Sequence, residues 1–483
     1  MDEPTKRDRV RGMFAGLILG DALGAPHEFY KWNRNTIYTG KLEIQPYRQK
    51  DARYNKPEER DLYQPIGSVT DDTQMTIALM KCITNDQGKY IRDNVILCYA
   101  DWTHSGPSDI GKNTRFLFTN KTVKGYEARV KKRDKEIKEG TMAESLSNGA
   151  LMRCTPIALL ANWSGAMIED VNLTNPYDDT RDVNLVYLNV LLSLLHNGSI
   201  DDTMNIIDTI RESLHQQVKV AIKDAVESIL RLDNNESNDD DRDISGKDKG
   251  LSVHALYCAL RGLWMISLGY TYPEIIDWVI TQNTETGKGD TDTNAAITGA
   301  LLGAYFGFDL LMNDETTADN WDILIKAAKE IKDPLAKYVP QEFDTMVNDY
   351  LKSITISEKE LFKKEGEKLK QFQVGDVIVF NEDAYMHRTS MVFGRITMIK
   401  SKPQGEIVFV ELPRIKSSEY IDPAYSTCTV NPDLKADTSN IYSSYLTPKR
   451  GKGAGFGYYR FASKDVYVMH YDPNQTYKDE ACY

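Results

Sequence analysis

Apolar positions follow two different periods along this 483-residue chain, and the change comes after residue 355. Before it, apolar residues recur at helical spacing. The pattern predicts helices over 9–23, 76–83, the segment after Gly149, a pair of amphipathic helices over 183–232, and further helices over 251–268, 295–308 and 320–350. Residues 31–66 are polar, with several Tyr and Pro, and read as a long connection. Residues 231–250, rich in Asp and Asn, have the composition of a disordered acidic loop. Lys and Glu crowd 356–371, which reads as a charged linker; 374–380, 392–399 and 405–412 are then short strand runs between turn residues, with more strand signal over 451–471. The expected architecture is an all-α domain over 1–355, the linker over 356–371, and a small β-rich domain over 372–483, an antiparallel barrel of SH3-like kind.

Two of the predicted helices, 9–23 and 295–308, are rich in Gly and Ala, which permits close helix contact. The second opens on Gly287-Lys288-Gly289-Asp290-Thr291-Asp292-Thr293-Asn294, where two carboxylates and two hydroxyls fall within four residues. Gly67-Ser68-Val69-Thr70-Asp71-Asp72-Thr73 heads the helix over 76–83 in the same form. Asp and Thr suit a helix N-terminus, so capping is the simplest reading. A cap needs only one such residue, however, and adjacent carboxylates repel unless a cation lies between them. Two such heads, more than 200 residues apart, can face one another and supply an all-oxygen site. That donor set suits Mg²⁺, Mn²⁺ or Ca²⁺ rather than zinc, and four Asp residues admit two ions about 3.5–4 Å apart.

Three further stretches carry polar residues at turns. Asp21 and Glu28 stand near the end of the first helix, where Asp21 reads as a cap or brace and Glu28 as a surface carboxylate. Asp109 follows the Gly106-Pro107 turn and reads as a turn residue. Asn148-Gly149 entering an apolar helix would leave bare amide N–H groups, a ready anion site.

Composition narrows the classes. Of the residues, 41% are hydrophobic and 27% charged, as in a soluble globular protein. There is no apolar run of about 18 residues and no signal-peptide pattern at the start, so the expected location is cytoplasmic, with no membrane partner. Residues 1–370 hold 46 Lys and Arg against 58 Asp and Glu, whereas 371–483 hold 13 of each. No broad basic surface is implied, and no nucleic-acid partner is expected. Six scattered cysteines without C-x-x-C spacing support neither a disulfide framework nor a zinc site.

Taken in order, Gly-Asp-Ala-Leu-Gly with Glu28, Thr-Asp-Asp-Thr, Ser-Gly-Pro-x-Asp-Ile-Gly, Asn-Gly-x-x-Met-Arg-x-x-Pro and Gly-Asp-Thr-Asp-Thr-Asn-Ala-Ala resemble the ADP-ribosylglycohydrolase family over residues 7–310, with an expected extension to about 350. The resemblance implies an all-α fold with a binuclear Mg²⁺ or Mn²⁺ centre at the base of a cleft. It implies Thr70, Asp71, Asp72, Asp290, Asp292 and Thr293 as metal ligands, and Glu28 beside the ribose. It also implies Asp109 as general base, with Asp109 or Glu28 handling the proton, Ser147, Asn148, Gly149 and Ala150 as the loop receiving the diphosphate, and Asn175 as a further substrate-binding residue. The implied reaction is hydrolysis of ADP-ribose from arginine, on an ADP-ribosylated protein or a small ADP-ribose-containing molecule. Alternatives are another ADP-ribose linkage, serine-linked or in a free derivative, and a silent ADP-ribose-binding protein. Two positions depart from the pattern: Asn175 stands where many members have His, and Lys288 where many have a small residue. The C-terminal domain resembles no family and is expected to be a partner-binding or stabilising appendage.

Overall fold

The computed structural model describes residues 5–28, 42–50, 61–233, 250–281 and 289–354, together with eight strands between 377 and 478. It divides into two compact units, Met1–Thr355 and Ile356–Tyr483. The first begins with α1 (Lys6–Gly24), β1 (Tyr47–Lys50), β2 (Asp61–Gln64), α2 (Asp71–Asn85), α3 (Arg92–Thr103), α4 (Lys112–Leu117) and α5 (Val123–Lys138). It continues with α6 (Trp163–Thr174), α7 (Asp178–Asn197), α8 (Ile200–Ile210), α9 (Gln216–Asp233), α10 (Ser252–Met265) and α11 (Tyr272–Thr281). The last are α12 (Thr291–Phe306), α13 (Phe308–Leu311), α14 (Glu315–Glu330) and α15 (343–354).

Helix formation follows the apolar period, with local signals setting the ends. The Thr5 hydroxyl caps α1 by accepting from Asp8 N at 3.2 Å, and Ser199 caps α8 by accepting from Asp202 N at 3.2 Å. Gly198, at φ +64°, stops α7. The pair of helices expected over 183–232 is therefore three, divided at Gly198-Ser199 and again by a single 3₁₀ turn, Arg211–Ser213. The connection expected over 31–66 holds an antiparallel hairpin, with Tyr47 opposite Gln64 and Lys50 opposite Asp61. Four residues on each side are too few for a two-residue period to stand out among polar neighbours. The charged linker lies outside the described residues, and so does the acidic loop apart from residues 231–233 and 250.

The centre of the unit is the antiparallel pair α1 and α12. Gly12, Gly16, Gly20 and Gly24 meet Gly303, Gly299, Ala295 and Thr291 in that order. A Cβ placed on Gly16 would lie 2.1 Å from the Gly299 carbonyl oxygen, and one on Gly303 would lie 1.9 Å from that of Gly12. Backbone therefore packs on backbone. Tyr272 Oη donates to Gly16 O at 2.9 Å and Thr291 Oγ1 to Gly24 O at 2.8 Å, which satisfies carbonyls along the seam. α10, buried along nearly its whole length, packs against α12 and α9. The seam brings the C-terminal end of α1 beside the N-terminal end of α12.

The Ile356–Tyr483 unit is built of strands: β3 (Val377–Glu382), β4 (Ser390–Lys402), β5 (Gly405–Glu411), β6 (Thr427–Cys428), β7 (Tyr442–Ser443), β8 (Gly457–Ala462), β9 (Val468–His470) and β10 (Tyr477–Lys478). Six of them form one sheet in the order β7-β8-β5-β4-β3-β9, and β10 pairs with β6. All pairings are antiparallel except β7 with β8, and a bulge lies between Ile396 and Met398. Among the described residues no helix is long and apolar enough to cross a membrane.

Candidate active site

Three helix ends converge at one end of the α1–α12 seam. Asp21, on the last turn of α1, reaches the N-terminus of α2 and accepts from Thr70 N and Thr73 N, each at 3.1 Å, and from Thr70 Oγ1 at 2.8 Å. It thus caps a helix other than its own, while Thr70, the cap residue by position, makes no side-chain cap bond. Bare N–H groups at a helix start attract a carboxylate, which fixes α2 against α1. Asp71 and Asp72 follow in the first turn of α2, and Asp290 and Asp292 stand at the start of α12.

Carboxylate oxygens of Asp21, Asp72 and Asp292 lie within 4.8 Å of one another, and so do those of Glu28, Asp109 and Asp292. The two oxygen clusters share Asp292. The Thr70 hydroxyl lies 3.0 Å from Asp72 Oδ2 and the Thr293 hydroxyl 3.3 Å from it, so both threonines approach the first cluster. Asp71 Oδ2 instead accepts from Gly111 N at 3.3 Å, tying α2 to the turn that carries Asp109. Asp290 Oδ2 accepts from Asn148 Nδ2 at 2.8 Å, and lies against Gly250, where a Cβ would come within 2.8 Å of it. The residues expected as ligands therefore gather at one place. Asp72 and Asp292 lie in the oxygen clusters, with Thr70 and Thr293 at their edge, and Asp71 and Asp290 bind the surrounding loops.

Electrostatics make these clusters a place where a cation could sit. Burial pushes Glu28, Asp71, Asp72 and Asp292 well above the ordinary carboxylate range, and their mutual repulsion, with Asp109 and Asp290 contributing, pushes them further. Burial pushes Asp21 up to about 6 against the opposing hydrogen bonds from Thr73 and Thr70. Among the described residues no Lys or Arg forms an ion pair with Asp21, Glu28, Asp71, Asp72 or Asp292. Asp72 Oδ1 is buried without a hydrogen-bond partner. Buried oxygen donors at Asp21, Asp72 and Asp292, half-buried ones at Glu28 and Asp109, and one unused lone pair on Asp72 fit a hard divalent ion.

These shifts have a sign. A carboxylate whose folded pKa exceeds its unfolded one holds more protons in the folded state, so its contribution to stability falls as pH rises through that interval. For Asp21 the interval runs from 3.8 to about 6. In chelator the protein is therefore expected to resist urea better at pH 5 than at pH 8, and Mn²⁺ should narrow the gap. Equal midpoints at the two pH values in chelator would refute the repulsion account.

The family model for ADP-ribosylglycohydrolase matches residues 2–334, more than half of the chain. The chain belongs to this family. It is accordingly a hydrolase of glycosyl bonds. Its relatives include a putative ADP-ribosyl glycohydrolase of Acanthamoeba polyphaga mimivirus, 25% identical over 62% of this chain and 87% of the relative. The ADP-ribosyl-[dinitrogen reductase] glycohydrolase of Rhodospirillum rubrum is also 25% identical, over 64% of this chain and 89% of its own length. A solved ADP-ribosylglycohydrolase-related protein complex aligns with a TM-score of 0.43 at 20% identity, covering 66% of this chain and 98% of that one.

In this glycohydrolase, residues 145–150 border the carboxylates. Ser147 bridges to Leu251, Asn148 N donates to Gly250 O at 3.0 Å, and Ser252 N donates to Leu146 O at 3.0 Å. The helix expected after Asn148-Gly149 is absent: turns run through 148–153 and lead to a 3₁₀ helix, Thr155–Leu159, because Pro156 leaves one donor fewer and the buried Arg153 folds back. The bare amides are present nonetheless, since Gly149 N–H and Ala150 N–H donate to nothing among the described residues. Asn175 is fully buried and its Nδ2 donates to Ser145 O at 2.8 Å, while Oδ1 has no partner. It stands behind the loop rather than apart from it. Lys288 lies outside the described residues.

Arg153, whose role the sequence does not announce beyond the Met-Arg of the motif, holds the loop from beneath. Its Nη1 donates to Gly149 O at 2.6 Å, and its Nε pairs with Asp170 Oδ2 at 2.9 Å with both side chains wholly buried. Asp170 also accepts from Tyr99 Oη at 2.9 Å and Tyr90 Oη at 3.3 Å. Removing one partner of such a pair leaves the other charge buried, so Arg153→Met is expected to lose about 3–5 kcal/mol of stability. Urea denaturation monitored by fluorescence checks this; a change below about 1 kcal/mol would mean the pair carries no net constraint.

Proposed function

We propose that this glycohydrolase cleaves the N-glycosidic bond between ADP-ribose and arginine in modified proteins, using two divalent cations, Mg²⁺ or Mn²⁺, held by the carboxylate clusters. The observation that carries the reading is the sharing of Asp292 between two three-carboxylate oxygen clusters, an arrangement suited to two adjacent ions. In this reading Asp21, Asp72 and Asp292 hold one ion and Glu28, Asp109 and Asp292 the other, with Thr70 and Thr293 alongside. When bound, the ions would orient the ribose hydroxyls and make a water more acidic.

The chain's own residues account for the remaining chemistry. Bare amides at Gly149 and Ala150, with Ser147 and Asn148 beside them, receive the diphosphate. Water attacks the anomeric carbon as the bond to the guanidine nitrogen breaks, and the carboxylates stabilise the positive charge that develops on the ribose. Asp109 or Glu28 takes the water's proton through a carboxylate oxygen that does not hold the ion. Residues 1–355 are the catalytic domain in this reading, 356–371 a linker and 372–483 an appendage for a protein partner.

Arginine-linked and serine-linked ADP-ribosyl peptides, incubated side by side with the enzyme and Mg²⁺, test the assignment. Free ADP-ribose is expected from the arginine-linked peptide. Faster release from the serine-linked peptide would overturn the arginine assignment while leaving the hydrolase, and binding of both without release would favour a silent binder.

A further inference from the structure

Between Asp109 and the loop at 145–150, both at the site, the chain inserts α4 and α5. Residues 112–138 carry ten Lys or Arg against three Asp or Glu, in a protein whose formal net charge is −12. Lys112, Arg115, Lys124, Arg129, Lys131 and Lys138 form no ion pair with a carboxylate among the described residues. Only Tyr126 and Arg133 of α5 are buried. Both anchor the helix beside the site: Tyr126 Oη donates to Leu173 O at 2.8 Å, and Arg133 Nη1 approaches Thr174 O at 3.4 Å, next to Asn175.

The remaining lysines are ordered on the helix. Lys124, Lys131, Lys135 and Lys138 recur at intervals of seven, four and three residues, which puts them on one face, and all are exposed. Among the described residues Lys135 alone of the four forms an ion pair, with the exposed Glu139 at 3.7 Å. The stripe is about 21 Å long, the span of about six residues of extended polypeptide. A solvated helix of this length gains from lysines at its C-terminal end through the helix dipole, but not from those at Lys124 and Lys131.

We infer that this lysine stripe docks an acidic polypeptide segment of the modified protein while its ADP-ribosylated side chain occupies the site. The inference rests on the reading that the substrate is a protein. An acidic peptide fits better than a nucleic acid for two reasons. Single-stranded nucleic acid is held by exposed aromatic rings among the cations, whereas here Phe118 and Tyr126 are buried and Phe116 is already covered by Arg129 at 5.1 Å and Lys132 at 5.7 Å. A long polyanion would also run past the stripe onto a strongly acidic protein, and a short peptide would not.

The test uses the full chain, a fluorescein-labelled decaglutamate peptide carrying no ADP-ribose, and a labelled single-stranded oligonucleotide of equal charge. Anisotropy at low salt is expected to show peptide binding that weakens at least about tenfold in the Lys131→Glu/Lys135→Glu variant and in 0.5 M NaCl. The variant should keep the wild-type circular dichroism and melting temperature and turn over a small ADP-ribosylarginine substrate normally. Peptide binding that is absent, or equal in the variant, or weaker than oligonucleotide binding, would overturn the inference. Because the peptide lacks ADP-ribose, these outcomes do not depend on which linkage the enzyme cuts.

Discussion

Gly16→Ala is expected to lose at least about 3 kcal/mol of folding stability and the active site with it. Helix propensity alone argues the opposite, because Ala in place of Gly within a helix gains about 1 kcal/mol. The contact decides the sign. The new Cβ would stand 2.1 Å from the Gly299 carbonyl oxygen, and that atom belongs to the backbone of α12, which cannot rotate aside as a flexible side chain would. Relief requires α1 and α12 to separate, and separation moves Asp21 and Glu28 away from Asp292. Thermal melting with and without Mn²⁺ checks this. A variant melting at or above the wild-type temperature would show that the seam is looser than these distances require.

The seam illustrates what the sequence makes legible. Glycine and alanine clustered in two apolar helices signal close approach, and the Thr-Asp heads signal a charged end. Antiparallel packing of α1 on α12 joins these two signals. The strand runs after residue 372 were also legible, because three of them are long enough for the two-residue period to appear. Other features depend on partners far away in the chain. Asp21 has the composition of a local cap, and only the approach of α2, some 50 residues on, gives it Thr70 and Thr73 to bind. Arg153 reads as one charge in an apolar run until Asp170 and the Gly149 carbonyl are placed around it. The turns at 148–153 escaped because Asn-Gly followed by apolar residues serves equally for a helix start. Asn175 is legible as a departure from the family pattern, whereas its support of the loop through Ser145 is a matter of packing.

Asp292→Asn is expected to lower turnover at least about a hundredfold, more than the loss usual for residues that only support a metal ligand. The same change should raise the melting temperature in chelator. Burial and the charges of Glu28, Asp290 and Asp72 oppose ionisation of Asp292, and an amide of equal size removes a repelling charge without opening a cavity. Thr293 N, which donates to Asp292 Oδ1 at 2.9 Å, keeps its acceptor in the variant. A purely structural carboxylate would give the reverse pattern, with lower stability under all conditions and activity falling only as far as folding does. Greater stability without metal together with lost activity separates a metal-holding group from a structural one.

Equilibrium dialysis of Mn²⁺ against the wild-type protein and Asp292→Asn shows whether two cations meet at one shared carboxylate. About two ions are expected per wild-type chain, with weakened binding of both in the variant because both clusters lose the shared ligand. Two ions bound with unchanged affinity by Asp292→Asn would contradict that sharing.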